Sequence, residues 1–284
     1  MKALYTILML VFFIPQTKAQ GFFTEIKLGA FSYGGDLQDK PVIAKMLRPA
    51  TSVGINFELH PKLLITGNMT YGKIAGDDKY NKVSIARNLR FESTITEFSI
   101  GLDYNLLDLY KHKFSPFVQA SFGVFKFNPY LDTEDGNRLY LVEYCTEGQG
   151  FYKGREKYKL IQYAIPFGAG LQYAVSSNLR IGLLISSRKL FTDYIDDCST
   201  TYVDSLLLSR NASTYSPVLA YQGALLNGAN PYPSDGALRG NPANNDSYSF
   251  LGVFIKFRLV PKGDRDDFSG KSFKKVKTSC PTVF

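Results

Sequence analysis

The sequence has no tryptophan, two histidines and three cysteines among its 284 residues, and each scarcity removes a class of function. Without tryptophan, any aromatic girdle at a membrane surface must come from tyrosine and phenylalanine. The histidines, His60 and His112, both stand in short polar turns between apolar stretches, so neither could serve as a general base at the opposite end of such a fold. Cys145, Cys198 and Cys280 show no CxxC spacing, which argues against metal ligation. Beyond the first residues no apolar run reaches the ~18 residues that a membrane helix needs. No catalytic, cofactor-binding or metal-binding residue is expected, and no cofactor.

What is present begins with a secretory signal over residues 1–19. Lys2 gives the positive start, Leu4 to Pro15 an apolar core too short to span a bilayer, and Thr17-Lys18-Ala19 a small-residue cleavage site. Removing Lys2 and Lys18 lowers the formal net charge from +8 to +6 (8 − 2). The remaining basic residues are scattered rather than blocked, which fits a solvated surface and loops facing anionic lipid headgroups. Nucleic acid is not an expected partner.

Residues 20–260 carry eight stretches that alternate apolar and polar. Val53, Ile55, Phe57 and Leu59 stand against Ser52, Gly54, Asn56 and Glu58. Phe98, Ile100, Leu102 and Tyr104 stand against Glu97, Ser99, Gly101 and Asp103. Leu251, Val253, Ile255 and Phe257 stand against Gly252, Phe254, Lys256 and Arg258. A period of two puts one set on each side of a sheet. The stretches run from Phe23 to Tyr33, Ser52 to Leu59, Leu64 to Ile74, Arg90 to Asn105, Phe114 to Phe127, Leu160 to Tyr173, Leu179 to Asp193 and Tyr248 to Leu259. Their connections alternate long and tight, with a short helix expected near Val42 to Met46. The fold class is therefore all-β: an eight-stranded antiparallel up-and-down transmembrane β-barrel in the outer membrane. With a periplasmic amino terminus, three tight turns face the periplasm and four long loops face outside. Arg90 to Glu92 and Arg188 to Asp193 are expected to project above the bilayer.

A lipocalin also has eight strands, with its apolar face inward. Two features favour the inverted, lipid-facing arrangement. Glycines cluster on the polar face, among them Gly29, Gly54, Gly101, Gly182 and Gly252. The same face carries opposite charges, Glu25, Lys27, Glu58, Glu97, Asp103, Arg180, Lys256 and Arg258, which can pair across a narrow bore, where an unpaired charge would cost several kcal/mol. Side chains fill a barrel of this size, so a diffusion pore is not expected.

Acidic groups at Asp77 and Asp78, at Asp132, Glu134 and Asp135, and at Asp193, Asp196 and Asp197 fall in external loops. None has EF-hand spacing, and they read as solvated surface acids. The longest connection, Tyr194 to Asp246, is rich in Ser, Asn, Gly and Pro and reads as mobile loop. Cys145 and Cys198 both fall in outer loops and can form a disulfide between them. Cys280 lies in the tail on the other side of the membrane, so its oxidised partner would be another chain or a small thiol. That polar tail, residues 261–284, reads as disorder or as a periplasmic docking segment.

Several stretches carry a family likeness: Tyr71 to Asp78 (YGKIAGDD), Phe122 to Pro129 (FGVFKFNP), Thr146 to Gly150 (TEGQG), Ala164 to Gly168 (AIPFG) and Arg188 to Asp204 (RKLFTDYIDDCSTTYVD). Together they resemble a family of Bacteroidota outer-membrane β-barrels that includes PorG of the type IX secretion system, with a barrel of the OmpA/OmpX kind. The resemblance implies an outer-membrane anchor in contact with periplasmic ring proteins of the PorK and PorN type, without catalysis. Gly252, Ile255 and Phe257 also resemble the terminal-strand signal read by the barrel-assembly machinery. The expected function is thus a non-enzymatic component of an envelope assembly, with outer-membrane lipid and secretion-ring proteins as partners. The alternatives are an adhesive or surface-binding barrel acting through residues 128–158 and 194–246, and a lipid-modifying enzyme.

Overall fold

The computed structural model describes residues 21–260 apart from 39, 41, 134 and 227–229. The signal segment, the tail and Cys280 lie outside the described residues. Strand β1 (Gly21–Gly34) is followed by β2 (Arg48–His60), β3 (Leu63–Asp77), β4 (Arg90–Asn105) and β5 (Phe114–Lys126). A small hairpin, β6 (Pro129–Asp132) and β7 (Arg138–Tyr140), precedes β8 (Ile161–Ala174), β9 (Leu179–Leu190) and β10 (Ser247–Arg258). Eight of these strands pair antiparallel with their neighbours in sequence. The β1–β10 and β3–β4 ladders close the circle of eight, and the β6–β7 hairpin hangs from β4. The result is an eight-stranded up-and-down barrel.

The tight turns at 61–62, 106–113 and 175–178 share one end with the start of β1 and the finish of β10. All long connections emerge at the other end. The strands reach further toward that end than the alternation alone delimits: β2 begins at Arg48 and β3 continues to Asp77. There β4 pairs with β6 through Glu92 and Tyr130, so the wall stands taller on the β3–β4–β6–β7 side. The helix expected near residue 42 is only the single 3-10 turn Ala44–Met46, with no side-chain cap at Ile43. The mostly irregular segment 194–246 includes two short helices, Ser205–Asn211 and Ser216–Ala220, the first capped by Asp204 accepting from the Leu207 N–H at 2.9 Å.

The alternation sorts as a membrane barrel requires. Ile100 and Ile185 are 63% exposed on the outer wall and Leu28 is 59% exposed, whereas Glu25, Glu58, Glu97 and Arg180 point inward and are at most 1% exposed. Leaving one such aliphatic side chain in water forgoes ~1.5–3 kcal/mol. A continuous belt of them is untenable on a soluble monomer, and hydrocarbon removes the cost. Inward glycines serve close packing: a Cβ on Gly170 would strike the Phe117 ring, and one on Gly182 the Phe254 ring.

Candidate functional site: the filled bore and its external cap

The structure brings all eight charged residues singled out in the sequence into the bore, in three levels. At the tight-turn end, Glu58 accepts from Arg180 Nη2 and from Arg258 Nη2, each at 2.7 Å, and from Tyr110 Oη at 2.5 Å. Both guanidinium groups also lie over the Phe23 ring, at 4.4 and 4.5 Å. Two cations thus share one carboxylate, and a phenol from the β4–β5 turn caps it.

Midway up, Lys256 donates to Asp103 at 2.8 Å and lies 3.5 Å from Glu25, which also faces Lys27 at 3.3 Å. Lys27 donates to Asn68 Oδ1 at 3.0 Å. The ammonium of Lys256 rests beside Phe117 and Phe254, whose rings meet edge to face at 5.6 Å. Higher still, Glu97 accepts from Arg188 Nε at 3.1 Å and from Tyr248 Oη at 2.7 Å. Arg188 stands near the long-loop end of β9, and its side chain turns into the bore because it occupies an inward position opposite Tyr248. Around this level Phe31, Phe125, Phe127 and Phe250 form a buried aromatic layer, with the Arg188 guanidinium 5.6 Å from the Phe31 ring. The bore is therefore filled by alternating ionic and aromatic levels.

The long connections fold together into a cap with its own buried ionic centre. Glu147 accepts from Arg239 Nη1 at 2.9 Å, from the Ser199 N–H at 2.9 Å and from Thr200 Oγ1 at 2.6 Å. Gly148 and Gly150, with φ of 75° and 94°, allow the chain around Glu147 to turn this tightly. Asp78 holds Arg87 through two bonds at 2.8 and 2.7 Å. Asp197 accepts from Thr146 at 2.5 Å and from Tyr158 at 2.7 Å. Tyr158 in turn stacks on Tyr194 at 4.8 Å.

Two sequence expectations need correction here. Asp78, Asp193, Asp196 and Asp197 are buried, not solvated, because each is enclosed where loops from several connections meet. Burial pushes the Asp197 carboxyl up to about 6, against the opposing pull of Arg239 and of the Thr146 and Tyr158 bonds. Burial raises Asp193 to about 7, with Asp36 and Glu147 adding to it. Asp196 and Asp246 are likewise held well above the carboxylate range by burial and by neighbouring acids.

The second correction concerns the cysteines. Cys145 and Cys198 are both free and buried, so no disulfide joins them. Cys198 Sγ lies 2.9 Å from Arg87 Nη1 and 3.2 Å from the Arg239 carbonyl. Cys145 Sγ faces the Val142 and Glu143 carbonyls of its own short helix. The two loops are tied by Glu147 instead. His60 and His112 lie at the tight-turn end, the former accepting from the Lys62 N–H at 3.3 Å. Among the described residues, no group of three or more His, Cys, Asp or Glu has metal-binding geometry.

Tyr110, Arg87 and Arg239 were not singled out in the sequence, and Arg188 and Glu147 entered only as members of longer stretches, without a role in bore or cap. Arg188 had a signal, since it keeps the inward parity of its strand. The pairing within the cap had none: Glu147 lies in the TEGQG stretch, but Arg239 stands 92 positions away and neither segment has periodicity.

The chain belongs to the family described as domain of unknown function DUF6089, matched over residues 2–209. No curated protein matches it. Similar solved structures include Ail, the attachment invasion locus protein of Yersinia pestis, with the heparin analogue sucrose octasulfate (9% identity, 84% of this chain and 99% of that chain, TM-score 0.41). Neisserial surface protein A is another (7% identity, 84% and 97%, TM-score 0.42). A third is the outer membrane enzyme PagL (13% identity, 83% and 98%, TM-score 0.32).

Proposed function

We propose that this member of the DUF6089 family resides in the bacterial outer membrane as a non-enzymatic component or anchor of an envelope assembly. The assembly is the type IX secretion system, with the barrel in a PorG-like role against periplasmic ring proteins of the PorK and PorN type. The observation that carries this reading is the inequality of the two ends. One end is tightly turned and sealed by the Glu58, Arg180, Arg258 and Tyr110 cluster, and β10 finishes there at Arg258. The sequence then continues with a charged segment, Lys262 to Lys277, which a plain barrel does not need. Placed in the periplasm, that segment is the docking element. A bore filled at three ionic levels supports an anchor rather than a conduit.

Deleting the residues after Leu259 tests this. Loss of secretion with normal outer-membrane display is the expected result. Unimpaired secretion, together with no periplasmic neighbour in a crosslinked pull-down of the full chain, overturns it. A second reading, a surface-binding barrel, is favoured by one observation: the cap presents Leu206, Tyr215, Val218 and Leu225 to solvent, each at least half exposed. Loss of cell-surface binding on trimming 194–246, with secretion intact, would select it. Altered lipid A in cells lacking the protein would point instead to a lipid-modifying enzyme.

A further inference from the structure

The taller side of the wall carries a charged outer face. Strands β3 and β4 pair without a register break from Met69 and Phe98, in the apolar belt, up to Asp77 and Arg90. The outward positions therefore continue in line: Tyr71 and Thr96, then Lys73 and Thr94, then Ala75 and Glu92, then Asp77 and Arg90. The hairpin extends the same rows, pairing Tyr130 with Glu92 and Arg138 with Asp132. Five cations, Arg48, Lys73, Lys79, Arg90 and Arg138, meet three carboxylates, Asp77, Glu92 and Asp132. A cleft of about 280 Å³ opens among them, lined by Arg48, Lys79 and Arg90 and equally by Asp77, Glu92 and Asp132, with Lys73 and Arg138 outside its lining. Arg90 is exposed and forms no ion pair among the described residues. Its Nη2 lies 3.5 Å from the Asp132 carbonyl.

We propose that this face binds the phosphorylated headgroup of an outer-leaflet glycolipid, with Arg90, Lys73 and Arg138 as the phosphate contacts. The inference rests on the outer-membrane reading. In that orientation the face sits directly above hydrocarbon, where lipid phosphates lie. Guanidinium groups favour phosphate through paired, charge-assisted hydrogen bonds. The existing carboxylate partners hold Arg138 and Lys79 in place, while the surplus positive charge attracts the anion.

The test uses the full mature chain in detergent, with bisphosphorylated lipid A, dephosphorylated lipid A and inorganic phosphate as probes. Binding is read by native mass spectrometry. Phosphorylated lipid A should bind the wild type, and both dephosphorylation and the triple variant K73Q/R90Q/R138Q should weaken it about tenfold or more. A charge-matched control, K111Q/K153Q/K157Q, should bind like the wild type, and heat-modifiable migration on gels should show every variant folded. Equal binding of the two lipids, or undiminished binding by the triple variant, overturns the proposal. Displacement of the lipid by low concentrations of inorganic phosphate overturns the lipid assignment in favour of a free-anion site. A chain that fails to enter lipid at all sinks the outer-membrane reading instead.

Discussion

Replacing Glu58 with glutamine is the sharpest perturbation of the bore. The side chain is fully buried, and its two oxygens take Arg180 at 2.7 Å, Arg258 at 2.7 Å and Tyr110 at 2.5 Å. Glutamine keeps the shape but raises the cluster's formal charge from +1 to +2, leaving two guanidinium groups without an anion. Arg180 is the more sensitive to this loss, since its Nε and Nη1 have no hydrogen-bond partner among the described residues. The desolvation relieved by removing the carboxylate is smaller than the cost of orphaning both cations. Breaking a buried pair from one side costs ~3–5 kcal/mol. At ~2–4 °C per kcal/mol, the thermal midpoint in detergent, read by heat-modifiable gel migration, should fall on the order of 10 °C. The triple variant E58L/R180M/R258M should recover most of that loss, because replacing a whole buried ionic cluster with hydrocarbon is close to neutral. An E58Q midpoint within ~2 °C of wild type would refute the claim that this cluster is dry and closed.

Three further outcomes follow from the geometry. Removing the hub of the cap with E147A should open residues 194–246 to protease while the barrel keeps its melting behaviour, and a cap as resistant as wild type would contradict the packing described. The cap should also lose stability as pH rises from about 4 through about 7: Asp193, pushed up to about 7, and Asp197, pushed up to about 6, keep protons that the unfolded chain releases near 3.8. Limited proteolysis at pH 5 and pH 8 reads this difference, and D193N should flatten it. In planar bilayers the filled bore should give no large, stable conductance steps, and porin-like steps would refute three closed ionic levels.

How far the sequence could be read depended on periodicity. In the strands, one parity places Ile26 and Leu28 outside and Glu25 and Lys27 inside, so the orientation of each side chain follows from its neighbour's. Hence the barrel, its tight turns and its charged bore were all legible. Arg188 follows the same parity within the stretch Leu179 to Asp193, which gives its inward direction but not its partner Glu97 on β4. The aromatic levels were harder to see, since the Phe117 and Phe254 rings lie over Gly170 and Gly182, their paired neighbours on the adjacent strands, where a Cβ would strike them. The cap follows no period. Asp78 and Asp197 looked like surface acids because their partners, Arg87 and Tyr158, are fixed by tertiary packing. Low-complexity composition in 194–246 suggested mobility, yet its Asp197, Thr200 and Arg239 close on Thr146 and Glu147 from another loop.

The whole account depends on hydrocarbon contacting the outer face. Spin labels placed singly at Ile100, Leu183 and Val253, in protein reconstituted into lipid, measure this directly. All three should be relaxed strongly by dissolved oxygen and weakly by a water-soluble nickel chelate. Labels quenched by the nickel chelate, in a protein that stays a compact monomer without detergent or lipid, would mean that the barrel faces water.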